Sequence, residues 1–462
     1  MTSLEPLTAS QQHVFDKLLI ECRSVAIVSQ AGTGKSHIIK HIKKYCNDNK
    51  MRFAITAMTG VAASIIGGQT IHRWSGLKLL DKPIDISVAS VRKNHSIMKK
   101  WKDVQILVID EISMMDKSTF EKLHYVAQII RKNHDDFFGG IRVFLSGDFY
   151  QLPPIKTTEM CFESHIWKQY LQSALCVFDL KEILRQNDPV FTHILKNIRE
   201  GIITKDIMDI LNSRLIENVG KQNLNTYITD NENDDDNRNF LTIKPTLLYP
   251  FKNDVNNINE KEFNKLLNIY SKETFMAIDS KYDHNLSQRI SESDKIILQD
   301  RALEQLDLCI GAQVMLTVNI DVENGLVNGA RGVIVDFVKD SVCESNRKKH
   351  TAPVVVFYNG IELKIDYNEF TFELNDYEIL KRVQIPLILS WALTIHKSQG
   401  STLTNVITNL GNVFCHGQAY VALSRVKSLD GLFLQNINYN RITCDPKVKE
   451  FYESTNIVSL TL

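Results

Sequence analysis

No two of the eight cysteines form a CxxC pair: Cys22, Cys46, Cys161, Cys176, Cys309, Cys343, Cys415 and Cys444 are scattered singly along 462 residues. That spacing argues against a zinc ribbon or a disulfide framework and suits a reducing compartment. No apolar run approaches the roughly 18–20 residues a membrane span needs, and the N-terminus MTSLEPLTASQQ has no apolar signal core. The chain therefore reads as intracellular, with nothing to choose between nucleus and cytoplasm. Net charge is also lacking, since 54 Lys plus Arg balance 54 Asp plus Glu. A heavily basic nucleic-acid binder is excluded, and any basic groove must come from local arrangement. What is present is a globular composition, 44% hydrophobic and 23% charged, which excludes disorder and collagen. At roughly 150 residues per domain, the length implies about three domains.

Over the first 180 residues, short apolar runs alternate with helical stretches. Ser24–Ser29 (SVAIVS), Arg52–Ala57 (RFAITA), Val104–Ile109 (VQILVI) and Ile141–Ser146 (IRVFLS) are predicted strands. Strands separated by helices imply right-handed crossovers and a parallel sheet covered on both faces. Between Lys78 and Lys102 the pattern lapses, and Arg92, Lys93, Lys99, Lys100 and Lys102 gather. That stretch is either an ordinary solvated surface or a DNA-facing insertion. A second α/β region starts near Asp179, with an acidic loop at Asp230–Asn239 and a strand signal at Thr246–Tyr249. From about Asn328 to Ile385 the segments GVIVDFV, APVVVFY, IELKIDY and FTFEL predict a small inserted β-barrel, with a basic loop at Arg347–Lys349. The expected domains are 1–178, with an insertion at about 76–102; 179–327 together with 386–462; and the barrel, 328–385.

Ser29-Gln30-Ala31-Gly32-Thr33-Gly34-Lys35-Ser36 lies between an apolar strand and a helix, as a phosphate-binding loop must. Gly32 and Gly34 let backbone N–H groups approach phosphate oxygens, and the helix N-terminus adds its dipole. Lys35 would reach the β- and γ-phosphates of ATP and the Ser36 hydroxyl would bind Mg²⁺. Ser29 departs from the pattern, which usually opens on glycine. The run Val104–Ile109 ends in Asp110-Glu111, so that Asp110 can hold Mg²⁺ while Glu111 acts as general base on water. The strand IRVFLS leads through Gly147-Asp148 to Gln151, a polar group able to sense the γ-phosphate.

Longer strings carry a resemblance. They are TAMTGVAA (Thr56–Ala63), GQTIH (Gly68–His72), DEISMMD (Asp110–Asp116) and FGGIRVFLSGDFYQLPPI (Phe138–Ile155). Leu184-Arg185-Gln186, GAQVM (Gly311–Met315), NGARG (Asn328–Gly332), TIHKSQG (Thr394–Gly400) and YVALSRV (Tyr420–Val426) follow. Together, in this order, the chain resembles a PIF-type (petite integration frequency) superfamily 1B DNA helicase with RecD-like relatives. The resemblance implies two RecA-like P-loop domains with parallel sheets, a short wedge insertion and a small SH3-like β-barrel insertion. It assigns adenine recognition to Gln11, γ-phosphate contacts to Arg185 and Arg425 from the second α/β domain, and nucleotide linkage to Gly400. Single-stranded DNA would be gripped by Thr56, Thr59, Gly60 and His72, and by Thr394, His396, Lys397 and Ser398. Small hydroxyls and backbone N–H groups suit sequence-blind phosphate contact, although His72 and His396 could equally be satisfied structural residues.

The resemblance further implies ATP-driven 5′-to-3′ movement on single strands, unwinding of duplex or forked DNA, Mg²⁺ dependence, and a monomeric or weakly self-associating protein without a membrane partner. Little sequence precedes the first motif or follows the last, so the expectation is that added targeting or regulatory domains are absent. A DNA-stimulated translocase that clears bound protein without unwinding shares every motif. A nucleotide-gated clamp is disfavoured by Glu111 and the two arginines, and a P-loop kinase by TIHKSQG and YVALSRV.

Overall fold

The computed structural model describes residues 4–77, 83–155, 157–184, 188–219, 244–283, 286–299, 302–321, 324–342, 349–373, 378–454 and 456–461. Arg185, the acidic stretch Asp230–Asn239 and nearly all of the basic loop Arg347–Lys349 lie outside the described residues. The chain divides into two compact units. One comprises Met1–Leu211, Leu410–Leu432 and Asn436–Leu462; the other comprises Asn212–Asn409 and Phe433–Gln435.

The first unit is built on β1 (Val25–Val28), β2 (Phe53–Ala57), β3 (Gln69–Thr70), β4 (Ile106–Asp110), β5 (Arg142–Gly147), β6 (Val177–Leu180) and a C-terminal strand, Val458–Leu460. Their order in the seven-stranded sheet is C-terminal strand, β6, β1, β5, β4, β2, β3, and every pairing is parallel. The strands read as continuous apolar runs because both faces are covered. Ala26, Val28, Leu107, Ile109, Val143 and Leu145 enter one core, with Phe120, Leu123 and Ile130 of the helix Lys117–Arg131. Val25, Ile27, Ile106, Val108 and Phe144 enter the other, with Val14 and Leu18 of α1 (Ala9–Leu19) and Ile38, Ile39 and Ile42 of α2 (Lys35–Asp48).

Where the apolar pattern lapses after Lys78, the described residues form two short helices, Ile84–Lys93 and His95–Asp103. The Asn94 side chain accepts the Ile97 N–H at 2.8 Å and so starts the second. Val88, Val91 and Trp101 are buried, and the Trp101 indole donates to the Ser75 carbonyl at 3.0 Å. Arg92, Lys93, Lys99 and Lys102 remain exposed. The apolar positions are too few and too irregular to be read as helices, yet three of them suffice to pin the segment.

The tail after YVALSRV returns to this unit. Asp445 caps the helix Pro446–Glu453, whose Phe451 stacks on Phe162 with ring centroids 4.3 Å apart. The strand that follows pairs with β6.

The second unit contains the strands Ala392–Thr394 and Thr246–Tyr249 and all but the last residue of Val406–Leu410, neighbours in that order in one sheet. The first and third strands run parallel to the second. Asn259, on the helix Lys252–Leu267, exchanges two hydrogen bonds with the backbone of Ala392, at 2.8 and 3.1 Å. All four β-type segments predicted after Asn328 fall on strands, but their partners extend beyond 328–385. A five-stranded antiparallel sheet adds Gln313–Leu316 and Leu387–Leu389, and a four-stranded one adds Ile278–Asp283 and Leu286–Gln288. The strand IDSKYD alternates too weakly to be seen in the sequence. It is fixed by Arg382, fully buried and bonded through two nitrogens to Asp279, its cross-strand partner, at 2.6 and 2.7 Å.

Candidate nucleotide site

The phosphate loop leaves the end of β1 beside β5, where Val28 is in register with Gly147. Gly32 (φ +91°) and Gly34 (φ +82°) occupy the left-handed region, which glycine enters without penalty. A Cβ on Gly34 would lie 2.3 Å from Gln11 Nε2. Helix α2 starts immediately after, so its free N–H groups open onto the loop. Ser29, in place of the usual glycine, is buried, and its hydroxyl oxygen accepts the Leu180 N–H at 2.6 Å, tying the loop to β6.

Gln11 caps and braces at once. Its amide oxygen accepts the Thr8 N–H at 3.1 Å and its Nε2 donates to the Thr33 carbonyl at 3.1 Å. The Thr33 hydroxyl donates to the Gln30 carbonyl at 3.1 Å. Lys35 Nζ donates to the carbonyls of Ser29 and Gln30, at 2.5 and 2.8 Å. Burial lowers the Lys35 pKa against the opposing pull of Asp148, Glu111 and Asp110. Ser36, next on α2, is exposed.

Asp110, the last residue of β4, is 7% exposed and accepts a short hydrogen bond from the Ser146 hydroxyl. Burial raises its pKa against the Ser146 hydroxyl, the Glu111 N–H and Lys35. Glu111 sits at φ +56°, a left-handed backbone that non-glycine residues adopt only under local constraint. The buried Asp110 carboxylate and the exposed Ser36 hydroxyl are oxygen donors of the kind that suits Mg²⁺, a hard cation that takes few protein oxygens and keeps waters and substrate phosphates. Among the described residues no group of three or more His, Cys, Asp or Glu forms a denser metal cage.

Gln151 is buried, and its N–H donates to the Asp148 carbonyl at 2.9 Å. The helix Gln418–Ser424 starts against this loop. A Cβ on Gly417 (φ +73°) would lie 2.3 Å from the Tyr150 carbonyl oxygen and 2.5 Å from that of Gln151. Arg425 follows the helix, buried, with Nε donating to the Val421 carbonyl at 3.0 Å and Nη2 to the Ser424 hydroxyl at 2.7 Å. It belongs to the same compact unit as the phosphate loop, although sequence position placed it in the second α/β domain.

The expected DNA contacts divide between the units. Thr59 caps the helix Gly60–Ile65 by accepting the Ala62 N–H at 3.2 Å. His72 is half-buried, and its pKa is lowered by burial against the pull of Asp116. In the second unit, Thr394 Oγ1 accepts the Lys397 N–H at 3.2 Å, Lys397 is exposed, burial lowers the pKa of half-buried His396, and Gly400 turns at φ +82°. Two hydroxyls are committed internally. Thr56 is fully buried in β2 and donates to the Val108 carbonyl at 2.6 Å, while Ser398 is buried and donates to the Ile395 carbonyl at 2.8 Å.

Sequence reasoning passed over a second buried carboxylate, Asp148, just past β5. It accepts from Arg199 Nε at 3.1 Å and Nη2 at 2.8 Å, from Tyr420 Oη at 3.1 Å and from Tyr452 Oη at 3.2 Å. Asp148 and Tyr420 stand inside quoted motifs, so a signal existed; Arg199 and Tyr452 looked like ordinary helix residues.

A glycine-rich loop between β1 and α2, under adjacent carboxylates at the carboxyl end of a parallel sheet, defines a P-loop nucleotide-binding α/β protein. The sequence model described as PIF1-like helicase matches residues 6–209, and that described as DNA helicase Pif1, 2B domain, matches residues 295–337. The crystal structure of Pif1 helicase from Candida albicans is similar, with a TM-score of 0.79 and 30% identity, covering 97% of this chain and 99% of that one. ATP-dependent DNA helicase PIF1 of Rattus norvegicus is 35% identical over 457 residues, which are 98% of this chain and 65% of the relative. ATP-dependent DNA helicase RRM3 of Saccharomyces cerevisiae is 32% identical over 97% of this chain and 67% of its own length. The chain belongs to the PIF1-like helicase family. It spans just under two thirds of the length of the rat relative.

Proposed function

We propose that the chain is an ATP-dependent DNA helicase that moves 5′ to 3′ along single-stranded DNA and separates the duplex ahead. The observation that carries this reading is that Lys35, Asp110, Glu111, Gln151 and Arg425 belong to one compact unit, in a family whose relatives are named ATP-dependent DNA helicases. Loop amides at Gln30 and from Gly32 to Ser36 would cradle the phosphates, the Ala31 N–H being taken by the Tyr420 hydroxyl, and Lys35 would exchange the Ser29 and Gln30 carbonyls for phosphate oxygens. Glu111 would take the proton of the attacking water, Gln151 would orient at the γ-phosphate, and Arg425 with Arg185 would stabilise the spreading charge. Ser36 and Asp110 would hold Mg²⁺, which when bound neutralises phosphate charge. Gln11 would meet the adenine edge.

Thr59, Gly60, His72, Thr394, His396 and Lys397 would touch the DNA backbone. Thr56 and Ser398, their hydroxyls committed, would support these from beneath. The exposed lysines and arginines of the two helices between 84 and 103 would face the strand-separating side.

The test is ATP-dependent unwinding of two partial duplexes, one with a 5′ and one with a 3′ single-stranded tail. Unwinding of the 5′-tailed substrate alone is expected, and Lys35→Ala should abolish turnover in a folded chain. Unwinding of the 3′-tailed substrate alone would reverse the polarity. ATP hydrolysis stimulated by single strands, with neither duplex opened, would replace the reading by a translocase.

A further inference from the structure

Asp148 is fully enclosed and gathers more polar partners than a buried carboxylate needs for solvation. The Arg199 guanidinium pairs with it and lies over two tyrosine rings, 4.4 Å from the centroid of Tyr150 and 4.8 Å from that of Tyr452. Burial opposes the Arg199 charge, but Asp148 outweighs it and the pKa is raised. The Tyr150 N–H adds a further bond to the carboxylate at 3.3 Å. Such a group cannot rotate away without leaving a buried cation unpaired.

Tyr420 is the partner with a second contact. Its hydroxyl oxygen accepts the Ala31 N–H of the phosphate loop at 3.1 Å while its proton goes to Asp148. A phenol has one proton to give, so both directions are fixed. Tyr420 lies about a turn and a half before Arg425 on the buried helix Gln418–Ser424. Gln151 lies on the loop that Asp148 opens, with its N–H on the Asp148 carbonyl.

We propose that the Tyr420 hydroxyl, anchored on Asp148, is a positioning group for phosphoryl transfer: it holds the Ala31 shoulder of the phosphate loop in fixed relation to Arg425 and Gln151. This rests on the helicase reading above. Misplacement of a reacting group by a fraction of an ångström slows chemistry far more than binding, so the signature is a loss in kcat with nucleotide affinity kept.

Tyr452 supplies the control. Its hydroxyl sits on the same carboxylate at 3.2 Å and accepts the Phe149 N–H at 3.2 Å, a residue outside the phosphate loop. Tyr420→Phe and Tyr452→Phe in the full chain each remove one hydroxyl from Asp148 and keep the ring. Single-strand-stimulated hydrolysis, binding of a non-hydrolysable ATP analogue and thermal unfolding are measured for both. The two should lose similar thermal stability. Tyr420→Phe should lose about tenfold in kcat, the loss of one well-placed hydrogen bond, with analogue affinity within about threefold. Tyr452→Phe should keep kcat within about twofold.

Equal kcat losses in the two variants, an unchanged Tyr420→Phe, or kcat and affinity falling together would overturn the proposal. So would a Tyr420→Phe chain that fails to fold, because the hydroxyl would then belong to the scaffold. A wild type that does not hydrolyse ATP would overturn the helicase reading, and this proposal with it. Hydrolysis in the wild type beside an unaffected Tyr420→Phe would remove this proposal alone.

Discussion

Asp110 and Asp148 stand at the carboxyl ends of paired neighbours, β4 and β5, and both are buried. Their provisions differ. Asp148 carries its own cation, Arg199, and two phenolic hydroxyls. Asp110 is met by the Ser146 hydroxyl and the Glu111 N–H, with Lys35 as its nearby positive charge, and burial pushes its carboxyl up. One carboxylate is closed by the protein; the other, in the proposed function, takes the charge of Mg²⁺. The place in the sheet is shared, so the role is set by the partners.

The comparison breaks most visibly at Asp148. Asp148→Asn leaves the Arg199 guanidinium buried without its counter-ion and should cost about 3–5 kcal/mol, read from the urea unfolding midpoint. A loss under about 1 kcal/mol would mean that the pair is dispensable to the fold.

His124 offers a buried titratable group of a third kind, with no ionic partner needed. It is 3% exposed, its Nδ1 accepts the Phe138 N–H at 3.0 Å, and burial, aided by His165, lowers its pKa to about 4. The unfolded value is higher, near 6.5, so the unfolded chain takes up the proton first. Stability present at pH 7 is therefore lost as pH falls from 6.5 towards 4, by about 2 kcal/mol between pH 7 and pH 5. The difference between wild type and His124→Asn across that range isolates this contribution, and the slope should be smaller in the variant by about that amount.

The smallest effect belongs to Ser29. Ser29→Ala removes the acceptor for the Leu180 N–H and should lower stability by about 1 kcal/mol, with hydrolysis within about twofold of wild type. A larger loss of hydrolysis would place this serine in the chemistry rather than in the joint between β1 and β6.

Much of this was legible in the sequence. The strands β1, β2, β4 and β5 are apolar runs bounded by loops, and the phosphate loop and the Asp110–Glu111 pair lie at their ends as periodicity and residue chemistry require. What escaped was long-range pairing. Arg199 and Tyr452 meet Asp148 across sequence separations of 51 and 304 residues, and nothing local distinguishes them from solvent-facing helix residues. The same holds for the strand IDSKYD, whose position depends on Arg382. Thr56 shows the converse: its motif is plain, but only the neighbouring strand reveals that its hydroxyl is taken by Val108.

In the proposed function Asp110 serves the reaction while Asp148 holds its framework. The direct measurement is single-strand-stimulated ATP hydrolysis and the unfolding midpoint of Asp110→Asn beside the wild type. Hydrolysis should fall by on the order of 10²–10³-fold. The midpoint should be unchanged or higher, because a neutral amide replaces a carboxylate whose charge burial disfavours. A lowered midpoint with hydrolysis retained would contradict this assignment of roles.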